Sequence, residues 1–222
     1  VVKAALAEMN LDDKKFKPQS IHAAISTAKN ELIPPEEYTP DSYFNEIAGR
    51  IYTRYNQILR ANNALDFDDL LMESVLLLRN NASTRERLQE RYAHILIDEF
   101  QDTNIAQYRL VQLLAGKHRN LYAVGDPDQS VYAWRGADYR NVLRLREDYP
   151  ELNVIALEQN YRSTQTILDA AMAVIKRNPN RQHINLFTQR EGGPKIAVRE
   201  LFNEDEESQY VVDTIAELTR QK

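Results

Sequence analysis

HILIDEFQDTN, residues 94–104, decides how this chain is read. Residues 94–97 have the apolar character of a short buried strand, and at its end two carboxylates, Asp98 and Glu99, stand next to each other. Gln101, Asp102, Thr103 and Asn104 follow, and a helical pattern begins at once. A strand that ends in polar residues and turns straight into a helix is half of a strand-helix-strand unit.

Working outward, the grammar differs on the two sides. Up to about residue 81 the periodicity is helical. Ile21, Ile25, Ala28 and Leu32 form one stripe; Phe44, Ile47, Ile51, Tyr55, Ile58 and Leu59 form a second; Leu70, Leu71, Val75 and Leu78 form a third. Ser83-Thr84-Arg85-Glu86 has the form of a capping box and predicts a short helix leading into the strand. After residue 93 strands and helices alternate. Strands are expected at 94–97, 120–124, 153–157 and about 195–201, and helices at 104–115, 138–147, 164–177 and 205–219. Gly116 is placed to end the first of these helices. The acidic run Glu204-Asp205-Glu206-Glu207 falls at a helix start, where it complements the macrodipole. Such alternation predicts an α/β fold with a parallel sheet covered by helices, whose ligands gather beyond the carboxyl ends of the strands. Asp98, Glu99, Gly125, Asp126, Gln159 and Arg162 are all expected at that edge.

Composition narrows the chemistry. The sequence has no cysteine, which removes disulfides and thiol nucleophiles, and its four histidines are scattered without metal-ligand spacing. No apolar run is long enough to cross a bilayer and no signal-peptide pattern opens the chain, so a soluble intracellular protein without a membrane partner is expected. The formal net charge of −5 argues against gripping duplex DNA by bulk electrostatics, so a nucleic-acid partner would have to be held by stacking and local contacts. The chain opens Val1-Val2 and ends Arg220-Gln221-Lys222 inside an amphipathic pattern. A piece of a longer polypeptide is expected.

Three stretches carry chemistry. Two acids after a strand are weak evidence alone, because solvated loops are rich in them. The Asp-Glu-x-Gln-Asp-x-Asn array of residues 98–104 is stronger. In a nucleotide triphosphatase one acid of such a pair holds Mg²⁺ between the β- and γ-phosphates, and the other accepts a proton from, or orients, the attacking water. In an extended chain neighbouring side chains point to different sides, which suits that division. The second stretch, VGDPDQSVYAWRGAD (residues 124–138), combines a tight turn with Gln129, able to contact a γ-phosphate, and with Tyr132 and Trp134, two apart and so on one face of an extended segment. Stacking a base on such a ring contributes roughly 1–3 kcal/mol. The third, LEQNYRST (residues 157–164), offers Ser163 as a helix cap, and Arg162 as a cation for a phosphate.

Taken together and in this order, DEFQDTN, VGDPDQSVYAWRGAD and LEQNYRST resemble motifs II, III and IV of the UvrD/Rep/PcrA group of superfamily 1 DNA helicases. LDFDDLL, residues 65–71, is similar to the segment in which that group places a DNA-contacting phenylalanine, and the helices before it resemble the insertion called domain 1B. The resemblance implies parts of two RecA-like domains: a 1B-like helical insertion over 1–81, returning into domain 1A near its end; the C-terminal part of 1A over 82–155; and the start of domain 2A over 156–222. It implies ATP and Mg²⁺ as cofactors, Asp98 as metal ligand, and Glu99 as catalytic base and outer partner of the metal. Gln129 would be the γ-phosphate sensor and Arg135 part of the coupling network. Phe67, Tyr132 and Trp134 would stack on DNA bases, Tyr161 on adenine, and Arg162 would be the arginine finger. The implied activity is 3′-5′ movement on single-stranded DNA and unwinding at junctions with duplex, in repair and replication. The implied location is the bacterial cytoplasm, at the nucleoid.

The chain also departs from the family. The phosphate-cradling G-x-x-x-x-G-K-[ST] loop is absent, since Gly116-Lys117 is followed by His118, and motifs V and VI are absent too. The remaining parts of the same helicase polypeptide are therefore expected partners, and this chain by itself is expected not to hydrolyse ATP. The motor portion of a helicase-nuclease subunit is the nearest alternative. A non-catalytic single-stranded DNA-binding module explains the aromatic residues but has no need of the acid pair, Gln129 or Arg162. A Mg²⁺-dependent nuclease built on Asp98 and Glu99 lacks a further acidic cluster at two-metal spacing.

Overall fold

The computed structural model describes residues 1–132, 136–178, 184–190 and 192–221. These form two compact units, 1–153 and 154–222. The three helical stripes of the first unit fall in α2 (Pro18–Asn30), α3 (Tyr43–Ala61) and α4 (Phe67–Asn80), and a short helix that no stripe marked, α1 (Val2–Glu8), precedes them. Ile21, Ile25, Ile47, Ile51, Tyr55 and Leu59 meet in one apolar cluster as their spacing predicts, with Tyr52 fully buried among them. Two positions depart from the stripes. Leu70 is exposed and Met72 takes the buried place beside Val75, so α4 is rotated from the expected phase. Leu32 lies past the end of α2 with φ +62 and packs against α4 and the following layer instead.

Helix α5 (Ala82–Arg91) corrects the capping prediction. Asn81, not Ser83, is its N-cap: the Asn81 side chain accepts from the Thr84 backbone N–H at 2.9 Å, and the Ser83 hydroxyl donates to the same oxygen. An amide oxygen one residue before the helix reaches the orphan donors of the first turn directly, so the inner Ser-x-x-Glu pattern is redundant.

The sheet consists of β1 (Ile95–Ile97) and β2 (Leu121–Ala123), parallel, in register Ile95 to Leu121, Leu96 to Tyr122 and Ile97 to Ala123. Helix α6 (Ile105–Ala115) connects them, as a parallel pair requires. Ile97, Leu121 and Ala123 pack against Phe100, Tyr108, Leu145 and Tyr149. The opposite face is not buried as expected, since Leu96 is 73% and Tyr122 59% exposed. Helix α4 packs on α6, and α5 is tied to both: Arg85 donates to the Leu78 carbonyl at the end of α4 and Gln89 to the Leu113 carbonyl of α6. Gly116 occupies the C-cap of α6 but is right-handed (φ −55); the left-handed residue that redirects the chain is Arg119 (φ +53). Helix α7 (Asn141–Asp148) starts later than the predicted 138, because Asp138 commits its backbone and side chain to other partners described below.

In the second unit, α8 (Gln165–Ile175) and α9 (Glu204–Arg220) occupy the predicted positions. Thr164, not Ser163, precedes α8, and its side chain makes no capping bond. Asn203 caps α9, with all four acids of the run in its first turn. Residues 153–157 and 195–201 form no ladder among the described residues, whereas two strands were expected. The only pairing described nearby is a single parallel bridge between Gln159 and Phe187. Apolar alternation selects a face; a strand also needs a neighbour to take its backbone donors and acceptors. Val154, Ile155 and Leu157 are all exposed. The α/β class with a parallel sheet thus holds. Among the described residues, no helix is long and apolar enough to cross a membrane.

Candidate functional site

The carboxyl ends of β1 and β2 are adjacent because the strands are parallel and in register. Beyond β1 the chain does not stay extended. Glu99 adopts the left-handed conformation (φ +49, ψ +43) and leads into a 3-10 turn at Phe100–Asp102. This backbone costs a residue with a Cβ about 1–2 kcal/mol. Local bonds offset it: Asp98 Oδ1 accepts from the Glu99 N–H at 2.9 Å, and Gln101 Nε2 donates to Glu99 Oε2 at 2.8 Å. The two acids therefore diverge through a tight turn rather than through strand alternation, and both remain exposed.

Gln101 is the residue that organises the site. It is 2% exposed, and while its amide nitrogen holds Glu99, its Oε1 accepts from the Asp126 backbone N–H at 3.0 Å. One side chain thus ties the segment after β1 to the segment after β2. The Phe100 N–H donates to the Val124 carbonyl at 2.9 Å, so the two segments are also stitched through backbone. Gly125 is required at this crossing, since a Cβ there would lie 2.7 Å from Gln101 Oε1 and 3.2 Å from the Phe100 nitrogen. Asp126 then caps the 3-10 turn Pro127–Gln129, accepting from the Asp128 N–H and, at 2.8 Å, from Gln129 Nε2. Gln129 is exposed beside the acid pair's anchor. Sequence reasoning listed Gln101 in the array without a role.

Asn104 caps α6 with a reciprocal box, its Oδ1 accepting from the Gln107 N–H and Gln107 Oε1 accepting from the Asn104 N–H. Behind it, Asn141 Nδ2 donates to the Thr103 and Asn104 carbonyls. The Asp138 N–H donates to the Thr103 carbonyl, and Asp138 accepts from Arg140 and Arg144 at 2.7 Å each. Burial alone would push the Asp138 carboxyl up, but these hydrogen bonds together outweigh it and hold it at about 2.

Phe67, the first residue of α4, is 88% exposed. Its turn is held by a cation that the sequence reading did not single out. Lys29 is completely buried, and its ammonium lies 2.7 Å from both Asp66 and Asp69. Tyr55 donates to Asp66 at 2.8 Å, and Asp66 and Asp69 form a capping box. Burial pushes the Asp66 carboxyl up, yet the bonds from Lys29, the Asp69 N–H and Tyr55 together bring it below its ordinary value. The signal was present: Lys29 follows Ile21 and Ile25 at helical spacing, on the buried face.

Tyr132 is exposed, with its carbonyl accepting from the Ala137 N–H. Trp134 and Arg135 lie outside the described residues. In the second unit, Asn160 Oδ1 accepts from the N–H groups of Arg162 and Ser163, and Arg190 donates to the Arg162 carbonyl at 2.6 Å. These contacts shape a turn that presents Tyr161, 76% exposed with its hydroxyl on Gln159, and the exposed Arg162. The first unit thus brings together Asp98, Glu99, Gln101, Asp126 and Gln129.

For a metal, the described residues contain no group of three or more acids or histidines able to enclose an ion. Asp98 and Glu99 fit a hard cation bound through one or two carboxylates, with water and phosphate oxygens completing its shell, as Mg²⁺ prefers.

Residues 1–150 match the UvrD/REP helicase N-terminal domain, and residues 155–222 match the UvrD-like helicase C-terminal domain. The chain is 47% identical over 220 residues to the ATP-dependent DNA helicase PcrA of Bacillus subtilis (strain 168), covering 98% of this chain and 30% of that protein. It is 46% identical over 217 residues to the proteins of the same name from Staphylococcus epidermidis and Staphylococcus aureus, with 97% and 30% covered. The chain spans about 30% of the length of the curated relatives it matches. With two helicase domains matched in order along it, the chain belongs to the UvrD/REP helicase family.

Proposed function

We propose that the chain is the central part of an ATP-dependent DNA helicase that moves 3′-5′ along single-stranded DNA and unwinds junctions with duplex, acting in repair and replication in the bacterial cytoplasm, at the nucleoid. In this reading residues 1–81 are a 1B-like insertion with the return into the first RecA-like domain, 82–155 continue that domain, and 156–222 begin the second. The observation that carries it is the Gln101 bridge, which makes the acid pair and the Gln129 turn one unit at the carboxyl edge of the sheet.

Asp98 would hold Mg²⁺ on the ATP phosphates, and the bound ion would offset the charge that develops there. Glu99 accepts the proton of the attacking water. A carboxylate has about four lone-pair sites, so the Gln101 bond orients Glu99 without exhausting it. Gln129, attached to Asp126, reports the γ-phosphate through the same turn. Tyr161 is assigned to adenine and Arg162 to the γ-phosphate charge. Phe67, Tyr132 and Trp134 are assigned to DNA bases, and Arg135 to the coupling between the two ligands. The exposure of Phe67 at the first residue of α4 leaves its ring open to a stacking partner.

The phosphate-cradling loop and the later motifs are to be supplied by the remaining polypeptide, so this chain by itself is expected to lack turnover. In the complete polypeptide, Glu99→Gln should lower turnover at least about a hundredfold with ATP affinity unchanged. Unchanged turnover in that variant would remove Glu99 from the role. Loss of oligo(dT) affinity in Phe67→Ala tests the DNA face, and retained affinity would withdraw Phe67 from it.

A further inference from the structure

We infer that Asn30, the last residue of α2, is a positioning residue that links the carboxylate array after β1 to the turn carrying Phe67. The inference rests on the reading just given for Glu99 and Phe67. Asn30 is 9% exposed, and its short side chain reaches three segments. Its Oδ1 accepts from Asn104 Nδ2 at 2.5 Å, and its Nδ2 donates to Asp68 Oδ1 at 3.2 Å as well as to the Ser26 carbonyl at 2.9 Å. Gly136, with φ +85, lies beside it, where a Cβ would be at ordinary contact distance, 3.7 Å from Asn30 Cβ.

The neighbours of these contacts cannot yield independently. Asn104 is committed through its own Oδ1 to the first turn of α6, so its amide cannot rotate without breaking either the cap or the Asn30 bond. On the other side, the three aspartates flanking Phe67 are all held from the end of α2: Asp66 and Asp69 by Lys29, Asp68 by Asn30. The Phe67 turn and the end of α2 therefore form one polar block, and at its buried members, Lys29, Asn30 and Asp69, a broken bond is not replaced cheaply by water. Through its bond from Asn104, Asn30 joins that block to the array containing Glu99 and Gln101. A shift of residues 98–104 on nucleotide binding reaches Phe67 through it, and DNA on Phe67 biases the array by the same amount in reverse.

The test uses the complete helicase polypeptide and compares ATP turnover without DNA and with saturating oligo(dT). In Asn30→Ala, turnover without DNA should stay within about twofold of the parent while the stimulation by DNA falls at least about tenfold. Asp68→Ala, which removes the acceptor at a half-exposed position, should reproduce the loss, and the double variant should add little to it. Undiminished stimulation in a folded Asn30→Ala variant overturns the inference. So does a parallel fall of both rates with the melting temperature, the mark of a merely structural residue. If Asn30→Ala does not fold, Asp68→Ala decides alone, with unchanged stimulation counting against the inference. Phe67→Ala separates the two layers. Stimulation lost there but kept in Asn30→Ala sinks only the positioning role; stimulation kept in Phe67→Ala sinks the reading of Phe67 itself and the inference with it.

Discussion

Removing the buried cation while keeping its volume, by Lys29→Met, isolates one interaction. The ammonium lies 2.7 Å from Asp66 and from Asp69. At an effective dielectric of about 20, each contact is worth about 6 kcal/mol of attraction. Burying each ion costs several kcal/mol, so the intact cluster is close to neutral in net terms, and the asymmetry appears only when one member is removed. The substitution would leave two carboxylates facing each other in a site where Lys29 had no exposure at all. The expected loss is about 3–5 kcal/mol, a large fraction of the roughly 5–15 kcal/mol that stabilises a domain. Urea unfolding at neutral pH followed by circular dichroism measures it. The parent and the variant should also differ in pH dependence. In the parent the Asp66 carboxyl lies below its ordinary 3.8, so its contribution is present above about pH 4 and is lost as the pH falls through the depressed value. Without Lys29 the influence of burial is no longer outweighed, the carboxyl moves up, and the variant should recover relative to the parent as acid neutralises it. Replacing the whole group, with Asp66→Asn and Asp69→Asn added, should restore most of the stability. A loss under about 1 kcal/mol, with no difference in pH dependence, would refute the claim that this cation is dry and structurally committed.

Gly125→Ala should displace Gln101, because the new methyl would lie 2.7 Å from its Oε1, at a cost of about 1–3 kcal/mol from the broken bond to the Asp126 N–H. Thermal unfolding of single and double variants checks this: the same change in a Gln101→Ala background should cost clearly less, and full additivity would place the strain elsewhere. Asp138, held at about 2, should contribute about 2 kcal/mol that is fully present above pH 4 and lost as the pH falls through 2. Asp138→Asn should remove that acid dependence in urea titrations from pH 5 to about 2, and an unchanged profile would show that another carboxylate governs it.

Much of this protein is legible in the chain itself. Three of the four helices before residue 81, the strand-turn-helix around Asp98 and Glu99, and the acidic start of α9 follow from periodicity and from capping chemistry acting within a few residues. The candidate residues were legible for the same reason, since each lies in a short motif. The errors occur where local pattern competes with a partner distant in sequence. Residues 153–157 form an apolar run of strand length yet lack a ladder, because a strand is defined by its neighbour. Ser83 yields to Asn81 because the oxygen nearer the free donors wins. Leu70 is left exposed and Met72 is buried because α4 packs on α6.

By itself, then, the sequence determined the kinds of element, the order of the motifs and which side chains could hold metal, phosphate or base, because those depend on spacing along the chain. Only the tertiary structure decided that Gln101 bridges Glu99 to Asp126 and that Asn30 stands between Asn104 and Asp68. Nor does any local pattern explain why Lys29 is tolerated without water; two aspartates nearly forty residues away make it so. A buried polar group is stable only when its partners arrive from elsewhere in the fold, and which partners arrive is settled by how helices and strands meet.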